Sequence, residues 1–237
     1  MATQYFKFKK FIINQSNCAM KVGTDGVLIG AWANCENSTK ILDIGTGSGL
    51  ISLMMAQRSK AIIDSIEIDE NSFLQAEKNI LISDWQNRIH IYNVSFQNFK
   101  KNKSNIYDLI VTNPPYFINS LKANTIERTN ARHNTLLPHN ELLAGADRLL
   151  TKKGLFCLIL PIEQINGFIK LANEYNFFCT KLLKVKPTTE KDPKRALIEL
   201  RREKIKYEVD ILIIEKDKRH DYTEQYKNLT KDFYLAF

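Results

Sequence analysis

From Lys40 onward the chain alternates short apolar runs with stretches of helical periodicity. Strand-like runs fall at residues 41–44, 62–68, 89–92, 109–112 and 155–160, and helical spacing at 50–57, 72–81, 140–150 and 162–175. The runs are Ile, Leu and Val almost throughout, which marks strands covered on both faces. Each intervening stretch is long enough to carry a helix across a sheet. The pattern predicts repeated βαβ units in a doubly wound, mostly parallel α/β sheet.

The flanks differ. Residues 5–13 alternate aromatic or aliphatic side chains with Lys7 and Lys9, the pattern of one half-buried strand. Lys21, Thr24 and Asp25, bracketed by Gly23 and Gly26, then precede an apolar helix expected from about Val27, with Thr24 or Asp25 as its N-cap. Past Thr180 come strand-like runs at 181–186, 196–201 and 207–214. In the tail, Tyr226, Leu229 and Phe233 share a helical face that would dock on the body. Residues 1–35 read as an N-terminal extension and 36–237 as the main body, together one structural domain.

Composition narrows the class. With 44% hydrophobic and 25% charged residues, disordered and fibrous classes are excluded. A formal charge of +8 favours a polyanionic partner, because Lys and Arg release counterions condensed on phosphate backbones. Residues 181–206 hold ten Lys or Arg against four Asp or Glu. The loop 187–195 within them, with Lys194 and Arg195, reads either as a solvated loop or as a phosphate-tracking surface. Cys18, Cys35, Cys157 and Cys179 are scattered, and the histidines lack metal-ligand spacing, which fits a reducing cytoplasm and no metal. No stretch reads as a secretory signal or a membrane span.

Two loops carry the chemistry. In Asp43-Ile-Gly45-Thr-Gly47-Ser-Gly49 the glycines alternate between a strand and a helix start. Backbone without Cβ atoms lets a ligand approach there, and the helix terminus adds partial positive charge. The spacing is G-x-G-x-G rather than the dinucleotide G-x-G-x-x-G, which tilts against NAD. Downstream, Asn113-Pro114-Pro115-Tyr116 follows the apolar run 108–112. Proline fixes its own φ and holds the preceding residue extended, so the Asn113 side-chain oxygen and the Pro114 carbonyl present an acceptor pair on which a planar amine could lodge. Glu67, at the end of the second strand, suits a ribose; Asp69 reads as the cap of the next helix. After the third strand, Asn93 or Ser95 could read an adenine edge while Phe96 packs on its face.

These motifs together resemble the class I S-adenosylmethionine-dependent methyltransferases that act on exocyclic or amide nitrogens. The wider pattern, in Cys18-Ala-Met-Lys-Val-Gly-Thr-Asp-Gly26-Val-Leu28, Ala131-Arg-His133, Gly154-Leu-Phe-Cys-Leu-Ile-Leu-Pro161 and the ending 222–237, is similar to the tRNA1(Val) adenine-37 N6-methyltransferases over nearly the whole chain. The resemblance implies a seven-stranded Rossmann-like sheet, S-adenosyl-L-methionine as cofactor, the anticodon stem-loop of tRNA as partner, and a monomer. It places Lys21, Thr24, Asp43, Gly45, Gly47, Gly49, Glu67, Ser95 and Asn113 on the cofactor, and makes Asn113, Pro114 and Tyr116 catalytic. Pro115, Tyr116, Phe117, Arg132, Lys194 and Arg195 would meet the RNA, with His133 beside them. Where relatives carry an aspartate facing the cofactor adenine this chain has Ser95, so that contact passes to Asn93, to water or to backbone.

The implied reaction is catalysis by orientation. A purine N6 is a poor nucleophile until hydrogen bonds to the Asn113–Pro114 acceptors aim its lone pair. The flipped base would stack on Tyr116, with about 1–3 kcal/mol gained per base. Rival readings are a ribosomal RNA or DNA adenine, a protein glutamine, and a non-catalytic binding module. The positive charge argues against glutamine and the intact Asn113 against the inert module.

Overall fold

A computed structural model describes residues 4–16, 18, 20–115 and 137–237. Tyr116, Phe117, Arg132 and His133, to which substrate contacts were assigned, lie outside the described residues.

The chain opens with β1 (Tyr5–Lys7), β2 (Ile12–Asn14) and α1 (Thr24–Trp32). The alternating body follows as β3 (Lys40–Ile44), α2 (Leu50–Arg58), β4 (Ile62–Glu67), α3 (Glu70–Leu81), β5 (Ile89–Asn93), β6 (Tyr107–Thr112), α4 (His139–Leu149) and β7 (Leu150–Pro161). It closes with α5 (Ile165–Glu174), β8 (Phe178–Thr188), β9 (Arg195–Arg201), β10 (Glu208–Glu215) and α6 (Glu224–Thr230).

One eight-stranded sheet runs β10-β8-β9-β7-β6-β3-β4-β5. It is parallel except at β9, which is antiparallel to both β7 and β8. The expected doubly wound sheet is present with one strand more than the seven anticipated, because β10 adds in parallel to the outer side of β8.

The apolar runs explain the layering. Along β3, β6, β7 and β9, successive side chains fall alternately into two cores. Ile41, Leu109, Val111, Cys157, Ile159 and Leu197 join the first, with α1 and α2. Leu42, Ile110, Phe156, Leu158, Ile198 and Leu200 join the second, with α4 and α5. Both faces are therefore covered, as the lack of alternation in these runs requires.

Two local expectations need correction. Residues 5–13 form a hairpin rather than one strand: β1 pairs antiparallel with β2, and the Phe8 N–H donates to the Phe11 carbonyl at 2.9 Å. The reversal lets the Phe8 and Phe11 rings stack inward, centroids 4.6 Å apart, which alternation along the chain does not encode. The apolar helix starts at Thr24, not Val27, with Gly23 as its N-cap residue. Thr24 and Asp25 therefore sit inside its first turn. The tail docks as expected, with Tyr226 and Phe233 buried in the first core and Leu229 against it.

Candidate active site

Three glycines hold the turn from β3 into α2. Gly45, Gly47 and Gly49 have φ of +70°, +57° and +85°, a region that L side chains rarely enter. A Cβ added at Gly45 or Gly47 would meet nothing within 4 Å, so both face open space. Gly49 differs: its added Cβ would touch Ala76 of α3 at 3.5 Å, which makes it a packing and turn position beneath the loop.

The loop is tied down from below. The Gly45 and Thr46 N–H groups donate to the Ile66 carbonyl at 2.9 and 3.0 Å. Asp43, fully buried, accepts from Thr46 Oγ1 at 2.6 Å and from Ser52 Oγ at 2.7 Å. Burial pushes its carboxyl up to about 6, partly offset by those hydroxyl hydrogen bonds. Asp43 therefore braces the loop from inside through these two hydroxyls.

Glu67 stands between loop and ligand space. Its Oε2 accepts from the Gly47 N–H at 2.9 Å, and its Oε1 from the Ile68 and Asp69 N–H groups, each at 2.9 Å. An ionised carboxylate offers about four acceptor sites, so capacity remains toward the cavity it lines. Asp69 caps α3 as expected, accepting from the Ser72 N–H at 2.8 Å. Asn93 donates its Nδ2 to the Glu67 carbonyl at 3.0 Å and so secures the end of β4. Ser95 and Phe96 line the cavity instead. The Phe96 ring is seated by Gly145, where a Cβ would lie 2.3 Å from Phe96 Cε1.

Strand register aligns these ends. Ile44 pairs with Ile66 and with Thr112, and Glu67 pairs with Asn93, so the loops after β3, β4, β5 and β6 open on one edge. The chain proceeds outward from β3 through β4 to β5, then returns to the other side of β3 as β6. That reversal leaves a crevice between the carboxyl ends of β3 and β6. Thr112 Oγ1 donates to the Ile44 carbonyl at 2.8 Å across it.

Two cavities meet there. The larger, about 730 Å³, is lined by Gly45, Gly47, Glu67, Ser95, Asn113 and Pro114 among others, and is walled opposite by Gln97 and Glu141, hydrogen-bonded at 2.7 Å. The smaller, about 360 Å³, lies between the glycine loop and Lys21, Thr24 and Asp25. Met20, Gly45, Gly47 and Asn113 line both. Asn113 is half-buried, Pro114 buried and Pro115 exposed. The structure thus brings the glycine loop, Glu67, the 21–25 segment and Asn113 together. Of the two basic residues expected at the RNA, Arg195 donates its Nε to Asp25 Oδ2 at 2.9 Å, while Lys194 is exposed.

Sequence reasoning passed over Asn79 and Gln15, both buried and both bonded to the loops. Asn79 lies within a stretch read only as an amphipathic helix, and a carboxamide on such a helix gives no signal of what it reaches.

Strand order and crevice define the class, a Rossmann-like class I methyltransferase. Residues 22–165 match the family model described as methyltransferase small domain. A tRNA1(Val) (adenine(37)-N6)-methyltransferase from Parabacteroides distasonis is 45% identical over 235 residues, 99% of each chain. Its counterpart from Trichodesmium erythraeum is 45% identical over 240 residues, covering all of both chains. The chain belongs to the tRNA1(Val) (adenine(37)-N6)-methyltransferase family. Among solved structures, a predicted O-methyltransferase from Agrobacterium tumefaciens shares the fold, with a TM-score of 0.68 at 16% identity over 88% of this chain and 96% of that one.

Proposed function

We propose that this chain transfers a methyl group from S-adenosyl-L-methionine to N6 of adenine 37 in the anticodon loop of tRNA1(Val), in the cytoplasm. The observation that carries the reading is the position of Asn113, on the wall shared by both cavities.

The residues present fit the cofactor. The open faces of Gly45 and Gly47 leave room for close approach, Glu67 keeps acceptor capacity for ribose hydroxyls, and the smaller cavity beside Lys21 and Thr24 suits an amino-acid end. When bound, the cofactor supplies an electrophilic methyl group on a sulfonium. The chain's own contribution is positional. Asn113 Oδ1 and the Pro114 carbonyl accept hydrogen bonds from the adenine amine, fix its plane and draw its lone pair out of the ring. The N6 proton lost after transfer passes to water or to those oxygens, so no dedicated base is required. Exposed lysines near the β8–β9 loop, Lys194 among them, would hold RNA phosphates.

Purified protein given labelled cofactor and bulk tRNA lacking the modification should yield labelled N6-methyladenosine after nuclease digestion. Asn113→Ala should lower kcat by about 10²–10³-fold while the cofactor Kd stays near that of the parent protein. Label recovered only in protein, or full turnover by the Asn113 variant, would falsify the assignment.

A further inference from the structure

Two carboxamides outside the cavities hold the backbone of both loops that line them. Asn79, on α3 and only 1% exposed, makes three hydrogen bonds, all to main chain, using both of its N–H donors and its oxygen. Its Nδ2 donates to the Asn14 carbonyl and to the Ser48 carbonyl, each at 2.8 Å, and its Oδ1 accepts from the Asn14 N–H at 3.0 Å. The adjacent Gln15, 4% exposed, accepts from the Val22 N–H on Oε1 at 2.8 Å. A continuous path therefore runs from the glycine loop through α3 and the end of β2 to the 21–25 segment.

We infer that Asn79 and Gln15 are positioning residues, and that the N-terminal hairpin is a brace setting the separation of the two loops between which the cofactor binds. The inference rests on reading the cavities as the S-adenosylmethionine site. Ser48 lies between Gly47 and Gly49, both at positive φ, so this stretch of backbone has little conformational restraint of its own. Glu67 holds it at Gly47 and Asn79 holds it at Ser48. The 21–25 segment is more open still: Met20, Lys21 and Gly23 are exposed, and the Val22 N–H is anchored to Gln15. Cutting either anchor leaves a main-chain group without its partner, buried at Ser48 and partly buried at Val22, and the backbone moves to find another. A ligand spanning both loops senses that movement as lost preorganisation.

The test pairs disruptive and conservative variants. Asn79→Leu and Gln15→Leu remove the hydrogen bonds at similar volume, whereas Gln15→Glu retains an acceptor for the Val22 N–H. Ile13→Val, fully buried in the hairpin, thins the packing without touching the path. Cofactor Kd is measured by calorimetry, amide exchange of Val22 and residues 47–49 is followed in the ligand-free protein, and kcat is measured at saturating cofactor.

Asn79→Leu and Gln15→Leu should each raise the cofactor Kd by about tenfold and speed exchange at those amides, leaving kcat and tRNA Kd near the parent values. Gln15→Glu should restore binding, and Ile13→Val should lower Tm with Kd unchanged. A double Leu variant should lose less than the product of the single effects, because both cut one path. The inference is overturned if folded Leu variants bind as the parent does, or if Kd follows Tm across the whole set, Ile13→Val included. Should Asn79→Leu fail to fold, the Gln15 pair decides alone. Failure of the parent protein to bind S-adenosylmethionine would instead overturn the reading of the site.

Discussion

Arg195 Nε donates to Asp25 Oδ2 at 2.9 Å, so the first residue of β9 is tied to the first turn of α1 across 170 positions of sequence. The two side chains are 33% and 25% exposed, which limits the pair to at most about 1 kcal/mol of stability. Its consequence is spatial. Asp25 lines the smaller cavity, so the basic end of β9 sets one wall of the proposed cofactor site. Arg195→Ala should therefore raise the cofactor KM and leave the salt dependence of tRNA binding almost intact. Lys194→Ala should do the reverse, reducing the slope of log K against log salt by roughly 0.7–0.9 for one lost phosphate contact. Filter binding across a salt series separates them, and equal slopes for both variants would remove Lys194 from the RNA surface.

Alanine at Gly47 and at Gly49 should have different consequences. Either forces a side chain into left-handed backbone, at about 1–2 kcal/mol. The Gly47 methyl would project into open cavity space, whereas the Gly49 methyl would meet Ala76 in ordinary contact. Both variants should lose Tm, but Gly47→Ala alone should also weaken the cofactor by more than its stability loss accounts for. Titration calorimetry on both variants decides, and equal affinities would mean that the ligand does not pass over Gly47.

Glu67 gives a third expectation. Its two oxygens already accept three backbone N–H groups, so replacing one oxygen by an amide leaves an N–H facing another N–H. Glu67→Gln should therefore weaken cofactor binding nearly as much as Glu67→Ala, by roughly tenfold or more. Near-parental affinity in the Gln variant would reduce Glu67 to a neutral acceptor.

Asp43 makes stability depend on pH. Burial raises its carboxyl from 3.8 to about 6, so the folded state binds the proton more tightly than the unfolded chain. Its contribution is fully present below about pH 4 and is lost as pH rises through about 6. Asn at this position keeps an acceptor for Thr46 and Ser52 without titrating. The Tm of the parent protein minus that of Asp43→Asn should fall between pH 4 and pH 6 and level off above. A difference that rises over that interval would show that the buried group stays ionised throughout.

The parts of the site legible in the sequence were those whose meaning is local. A glycine-rich turn after an apolar run, an acid at a strand end, Asp69 one residue before a helix, and an amide ahead of two prolines each state their geometry within a few residues. The doubly wound architecture was legible for a similar reason, since unbroken Ile and Leu runs demand cover on both faces. The hairpin within residues 5–13 was not, because its reversal depends on Phe8 and Phe11 finding a common core and no Gly, Pro or Asn marks the turn.

Sequence by itself determined the strands of the doubly wound body and which loops are candidates to carry chemistry, because backbone preference and apolar periodicity act over a few neighbours. The kind of chemistry came from the resemblance of those loops to a known family. Tertiary structure alone decided that Asp43 lies under the glycine loop, that Arg195 meets Asp25, and that Asn79 and Gln15 join the loops through the hairpin. Those contacts depend on how layers pack, and the order of residues along a chain carries no measure of the distance between segments once they fold.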